Sequence, residues 1–420
     1  MLYADDQVLV SSHPLGLQKM IDRIAGLFKE MNLKVNLTKT KVMVFRRGGR
    51  LEKKLKFKWE GEEVEIVNEY IYLGVKFSSS GKFTKARQVF SQKANAALQN
   101  LQSLIRKSKT RDVKVAHKLF VSLVTSVLLY GAPTWGLQYI DLFEKFQTNF
   151  LRWFFRLSNA TPVYFIRLET GIASITCSLI KAVLKFLYRI LTSESKLMKH
   201  SVEQSQNLQS EDVKYSWWQQ LGGLLKYGGL EENVNMLTEE YLRENFKSMI
   251  ARFGQKMLEK DIHDMRTDHR FQNYKDVKIN VGQSEYLESD MNGDMKMFLI
   301  NLRAGFPRIC ITGKIMNLNA VWKTWGRSKG YNFIECELCN MKEPEDALHI
   351  MLRCPQYKYF RNMYLRDLEE GGTCETVRTN SYGWKVICSK AQNTWERLYK
   401  FWIHAIKVRG TYLNLMDEDS

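Results

Sequence analysis

Two groups of residues in this chain have the types and spacing that hold cations. Cys336, Cys339, His349 and Cys354 follow the pattern Cys-x2-Cys-x9-His-x4-Cys. Three thiolates and one imidazole make a complete tetrahedral set for a structural Zn2+, with no position left open for a reacting water. The remaining cysteines, Cys177, Cys310, Cys374 and Cys388, lack such spacing and read as core residues. The second group is Asp5-Asp6. Carboxylate oxygens hold the paired divalent cations, about 4 Å apart, that carry out phosphoryl transfer. Neighbouring residues of a regular strand point to opposite faces, so an aspartate pair can serve one metal cluster only where the backbone turns. Asp-Asp is also an ordinary turn former, so its surroundings must decide.

Those surroundings read as α+β. Met1 to Ala4 is short and apolar and Val8 to Val10 resumes an apolar run, which predicts a hairpin with Asp5 and Asp6 at its tip. Leu17, Met20, Ile21, Ile24, Leu27 and Phe28 recur at helical spacing and predict an amphipathic helix over 15–31. Strands are expected at Lys41–Phe45, at Leu55–Trp59 with Glu63–Val67 across a Glu60-Gly61-Glu62 turn, and at Tyr72–Phe77. After Lys82, Gly and Pro become sparse and helical patterns run to Leu191, with breaks near Thr110, at Gly131 to Gly136, near Pro162 and at Gly171. Polar stretches at 193–212 and 264–294 read as linkers, and a last helical region surrounds the cysteine-containing segment. A helix opened by Pro344 and running Glu345–Leu352 is expected to carry the second pair of metal ligands.

Charge points to the partner. The 420 residues carry a formal charge of +18, and 24 Lys and Arg against 11 Asp and Glu place +13 of it in residues 1–130. A positive field of this size attracts polyanions over long range, and nucleic acid is the leading candidate. Arg87, Lys93, Arg106, Lys107, Lys109, Arg111, Lys114 and Lys118 lie on two predicted helices with Asp112 the exceptional acid, a face suited to tracking phosphates. Solvated surface helices would show the same excess. The longest apolar run, Leu119–Leu129, is interrupted by Ser122, Thr125 and Ser126 and falls short of the roughly 20 residues of a membrane span. An odd number of cysteines without a charged-then-apolar leader leads us to expect an intracellular protein, nuclear or cytoplasmic, rather than a secreted one.

Tyr3-Ala4-Asp5-Asp6, then Asn36-Leu37-Thr38-Lys39-Thr40-Lys41, then Tyr70-Ile71-Tyr72-Leu73-Gly74-Val75 resembles, in order, the last three palm motifs of non-LTR (LINE-type) retrotransposon reverse transcriptases. Leu128 to Gly136 resembles the Leu-Tyr-Gly...Trp segment that closes the thumb of that family, its aromatics reading as core packing. The Cys336–Cys354 pattern, with Cys354-Pro355 and Arg361 after it, resembles the family's zinc knuckle. The resemblance implies a partial palm over 1–82, an all-α thumb over 83–192, a linker and helical connector over 193–294, and a mostly α-helical C-terminal region over 295–412 holding a knuckle at about 333–364. It implies that Asp5 ligates Mg2+ with Asp6 supporting it, and that Lys39 lies near the phosphates of the incoming nucleotide. It further implies that Tyr3 and Gly74 lie against bound nucleic acid, with Leu73-Gly74 as the primer-grip turn. The partners would be an RNA template and a DNA primer or target, and Zn2+ would be structural.

The family places a further metal-binding aspartate and its fingers upstream of the Tyr-Ala-Asp-Asp turn, where this sequence has only Met1 and Leu2. The expectation is an RNA-directed DNA polymerase in truncated form, inactive by itself. The alternative is a non-catalytic nucleic-acid-binding protein that uses the basic helices and the knuckle.

Overall fold

The computed structural model describes residues 2–3, 5–46, 48–51, 54–207, 216–230, 234–268, 282–304, 309–311, 314–316, 335–336, 338–343, 345, 347–365, 386–387 and 391–418. It is mostly helical with a few two-stranded sheets. The chain forms two compact units, Met1–Ala96 and Ala97–Ser420.

In the first unit, β1 (Leu2–Tyr3) pairs antiparallel with β2 (Asp6–Gln7), Tyr3 opposite Asp6. The expected hairpin is present, but its second strand is Asp6–Gln7 and Val8–Val10 lies outside it. Helix α1 (Pro14–Glu30) begins with Pro at its first position, where the missing N–H has no intrahelical partner to lose. Its Ile21 packs with Val42, Phe57 and Val64, with Leu9, Leu17 and Ile66 against them. Strand β3 (Val42–Met43), shorter than expected, pairs in parallel with β6 (Ile66–Val67).

Two tight hairpins complete the unit, β4 (Phe57–Trp59) with β5 (Glu62–Val64) and β7 (Glu69–Tyr72) with β8 (Val75–Ser78). Their two-residue turns, Glu60-Gly61 and Leu73-Gly74, have positive φ at both positions, the type I′ geometry that matches strand twist. The single strand expected at Tyr72–Phe77 is therefore folded back on itself at Leu73-Gly74. Gly74 thus sits in a turn, as the motif resemblance implied for Leu73-Gly74. The outer strand β4 would expose unpaired backbone groups, and Gln18 of α1 satisfies one residue of it twice. Its Nε2 donates to Lys58 O at 2.7 Å and its Oε1 accepts from Lys58 N at 2.9 Å.

Helix α2 (Thr84–Ser108) buries Ala86, Phe90, Ala94, Leu101 and Ile105 at helical spacing. In the second unit, α3 (Val113–Phe120) is N-capped by Asp112, whose carboxylate accepts from Val115 N at 2.9 Å. A π-turn over Val121–Thr125 leads into α4 (Ser126–Leu128). The break expected over Gly131–Gly136 is present: Gly131, at φ 60°, precedes the single turn α5 (Ala132–Trp135), which gives way to a 3-10 turn at Gly136–Gln138.

Helices α6 (Ile140–Phe155), α7 (Val163–Thr170) and α8 (Thr176–Leu191) form the core of the bundle, with Phe120 stacked on Phe150 at 4.6 Å and Trp135 on Phe143 at 5.7 Å. Trp135 is fully buried and its Nε1 donates to Tyr130 O, so this tryptophan serves the core as its segment suggested, whereas Tyr130, expected in the core too, is exposed.

The polar stretch read as a linker carries a helix, α9 (Lys196–Asn207), none of whose residues is buried. Polar composition hid a helix that packs only its edge. Next come α10 (Trp217–Tyr227) and the 29-residue α11 (Glu239–Thr267), which packs along α7 and α8. Trp217 and Trp218 are packing residues. Their indole nitrogens donate to Pro133 O and to Asn235 Oδ1.

The second expected linker contains α12 (Glu285–Glu288), whose Tyr286 is fully buried, and leads into α13 (Gly293–Arg303). A hairpin of β9 (Ile309–Ile311) and β10 (Lys314–Met316) follows. The chain ends in α14 (Lys358–Tyr364) and the long α15 (Gln392–Glu418), which pack on each other.

Two buried ionic groups hold α7 in place. Arg167 pairs with Glu144 of α6 and, at 3.0 Å, with Asp261 of α11, while Ser174 and Thr176 hydroxyls donate to Glu144. Burial raises the pKa of Asp261 against the opposing pull of Arg167. Glu169 accepts from Tyr286 Oη at 2.7 Å and pairs with Arg303 at 3.4 Å. Among the described residues no single helix is long and apolar enough to cross a membrane.

Candidate metal centre and nucleic-acid-facing residues

Cys336, Cys339, His349 and Cys354 converge, their ligand atoms all within 4.8 Å of one another. Cys336 and Cys354 sulfurs lie 4.0 Å apart, and Cys339 Sγ lies 3.3 Å from His349 Nε2. Ligands around one tetrahedral Zn2+ are separated by roughly 3.5–3.8 Å, so the cluster needs only small adjustments to hold a metal such as zinc. The first two ligands come from a short loop closed by Cys336 N donating to Glu343 O at 2.9 Å. The second pair comes from the expected helix, which is shorter and of π type: residues 347–353 are helical, His349 opens the π-turn His349–Arg353, and Cys354 is the residue after it. Pro344, expected to open that helix, lies outside the described residues.

Two partners that the cysteine spacing does not reveal set the ligands. Glu343 Oε2 sits 2.9 Å from His349 Nδ1 and 2.5 Å from Arg353 Nε. The hydrogen bonds from Arg353 and then His349 hold the Glu343 carboxyl below its ordinary range. An ionised carboxylate on Nδ1 keeps the proton there and leaves Nε2 free to ligate. Arg361, itself buried, donates to the carbonyls of Met351 at 2.7 Å, Ile350 at 3.2 Å and Cys354 at 2.7 Å. Ile350 and Met351 lie in the last turn, where carbonyls lack an intrahelical donor, and Cys354 O accepts from Tyr357 N as well.

Cys336 is pushed up to about 12 by its hydrogen bond to Cys354 and by burial, while the same contact lowers Cys354. A buried ion pair between Glu345 and Arg409, at 3.0 Å, ties this region to α15. Cys177, by contrast, is half-buried, and burial raises its thiol to about 11. Cys374 and Cys388 lie outside the described residues, as does the side chain of Cys310.

In the first unit, Asp5 lies in the reversal between Tyr3 and Asp6, and both aspartates are exposed. Among the described residues no third ligand joins them in a metal-binding group. The side chain of Tyr3 lies outside the described residues. Lys39 is exposed in a turn organised by Asn36, whose Oδ1 accepts from Thr38 N at 3.0 Å and Lys39 N at 3.3 Å. Tyr70 Oη donates to Lys39 O at 3.0 Å, so the turn bearing Lys39 is fastened to the β7–β8 hairpin that ends in Gly74.

Helix α2 carries Arg87, Lys93, Arg106 and Lys107, all exposed, and no acidic residue. Arg106 lies over the ring of Trp153 at 5.4 Å and Lys93 over that of Phe90 at 5.5 Å, contacts that orient the cations without neutralising them. Lys109 is exposed in the loop that follows, at φ 53°. Arg111 pairs with Asp294 at 3.6 Å and Lys114 with Glu288 at 3.4 Å, acids more than 170 residues away that sequence reading did not connect to them. Asp112 spends its charge as the α3 cap.

No family model matches the chain. Over 133 residues it is 28% identical to an uncharacterized transposon-derived protein of Caenorhabditis elegans, a match covering 32% of this chain and 47% of the relative. The chain thus spans about half the length of the curated relative it matches. The similarity suggests a transposon-related origin.

Proposed function

We propose that this chain is the nucleic-acid-handling C-terminal part of a non-LTR retrotransposon reverse transcriptase. In this reading residues 1–82 are the end of the palm, 83–192 the thumb, 193–294 a connector, and the Cys3His cluster a structural zinc knuckle. The observation that carries it is the Tyr70 hydroxyl on the Lys39 carbonyl. It links two of the three palm-like motifs in one small α+β unit, whose first hairpin has the aspartate pair at its reversal. A transposon-derived relative supports the same origin.

The basic residues would grip template and primer through phosphates, with affinity but little sequence preference. Lys114 belongs to this set despite its ion pair, because an exposed pair of this kind contributes only about 0–1 kcal/mol and yields readily to a phosphate. Arg111, half-buried on Asp294, is the member of the set least available to a phosphate. In the complete enzyme Asp5 and Asp6 would supply part of the Mg2+ site, and Lys39 would face the incoming phosphates. Two carboxylates leave a two-metal centre under-coordinated, so the 420-residue chain alone does not polymerise.

Two measurements test this. Binding of the chain to a primer–template duplex should weaken steeply with salt, with a log–log slope of about −3 or steeper, and should ignore sequence. Primer extension should stay at the level of an Asp5→Ala control. Salt-insensitive or absent binding defeats the nucleic-acid reading, and templated synthesis above the control defeats the inactive-fragment reading.

A further inference from the structure

We propose that α14, with the face of α15 packed on it, is a stacking platform for the bases of single-stranded nucleic acid. The proposal rests on the nucleic-acid reading above and names a contact that reading does not require. His404 of α15 is sandwiched at the centre of an aromatic ladder. Its ring stacks on Phe360 at 5.0 Å with 28° between the planes, and on Tyr364 at 5.3 Å with 29°. Tyr359 continues the ladder outward, edge-on to Phe360 at 5.3 Å, and is 67% exposed. Met363, one turn further along α14, is 50% exposed on the same face. A tyrosine whose ring borders a packed ladder while most of its surface meets water presents the π surface that unpaired bases use.

Charge selects the occupant. Lys358, Lys400 and Lys407 are exposed around the ladder, Lys400 and Lys407 flanking His404 on one face of α15. No Asp or Glu occurs in residues 347–366 or 397–416. A basic rim around aromatic faces complements a phosphate backbone with splayed bases. The platform is also stiff. His404 Nδ1 donates to Lys400 O at 2.9 Å, Arg397 Nε donates to Tyr364 O at 2.6 Å, and Arg361 anchors α14 to the carbonyls beside the metal cluster. The metal would thereby hold the stacking surface in place from 5 to 10 residues upstream in the chain.

The test uses the full chain loaded with zinc and fluorescence anisotropy of a labelled 12-mer of thymidine, against the same strand with its central positions abasic. The wild-type chain should bind the intact strand more tightly than the abasic one. Tyr359→Ala and Tyr359→Leu should bind the intact strand roughly five- to 150-fold more weakly and treat the two strands alike, whereas Tyr359→Phe behaves as wild type. Retained zinc in each variant confirms that the fold is intact. If the Tyr359 variants keep wild-type affinity and discrimination, the platform is refuted while the broader reading survives, and a protein partner becomes the occupant to seek. If the wild-type chain binds neither strand, the platform and the reading beneath it fall together.

Discussion

Glu343 decides which nitrogen of His349 meets a cation, and it does so from within a loop where sequence alone gives it no distinction. The four ligands were legible because thiol and imidazole spacing is itself the signal. Their orienting carboxylate was not, because any acidic residue in a polar loop reads as solvated. Removing the charge while keeping the shape, as in Glu343→Gln, should lower zinc affinity by about 10- to 100-fold, measured by competition with a chromogenic chelator. Equal affinity would show that the negative charge on Nδ1 is not needed to set the ligand. Arg361 illustrates the same limit from the other side. Its position after the cysteines marked it as part of the knuckle, but only the fold shows that it is spent on three backbone carbonyls.

At the scale of elements, alternation and turn chemistry carried the reading wherever strands were long enough to show a period. The Glu60-Gly61 hairpin was visible for that reason. The β7–β8 reversal was marked only by the motif resemblance, as a turn at Leu73-Gly74, and not by periodicity, because Tyr70 to Phe77 is almost continuously apolar and its first turn residue is Leu73, a leucine held at φ 46°. Gly74 at φ 77° takes the second positive-φ position, and a side chain there costs about 1–2 kcal/mol. Gly74→Ala should therefore speed amide hydrogen exchange at Tyr72 and Val75 by roughly five- to 30-fold. Unchanged exchange would mean the turn does not need glycine. Helix α9 was missed for a different reason. A helix with no buried residue has no hydrophobic stripe to read, and its Ser, Gln and Glu content is that of a linker.

Across the whole molecule, the α+β start, the helical middle and the cysteine-bearing end were all legible in composition and periodicity. What ties the distant segments together was not, since ion pairs such as Lys114–Glu288 and Arg409–Glu345 join residues that no local pattern relates. The Cys3His segment has a small core, so removing metal should release it. Stripping zinc with a strong chelator should erase exchange protection across 335–365 and around Arg409, leaving α6 to α8 protected. Protection that survives chelation would assign stability to apolar packing instead.

Helix α7, meanwhile, makes the second unit poorly divisible. Arg167 would keep Glu144 in a piece ending near Thr192, but Glu169 would lose both Tyr286 and Arg303. An interior charge stripped of its counterpart is destabilising by about 3–5 kcal/mol. A cut through the polar stretch after α8 would therefore leave α7, eight residues long, with an interior acid facing no base, so the segments on either side of that stretch depend on each other through one short helix.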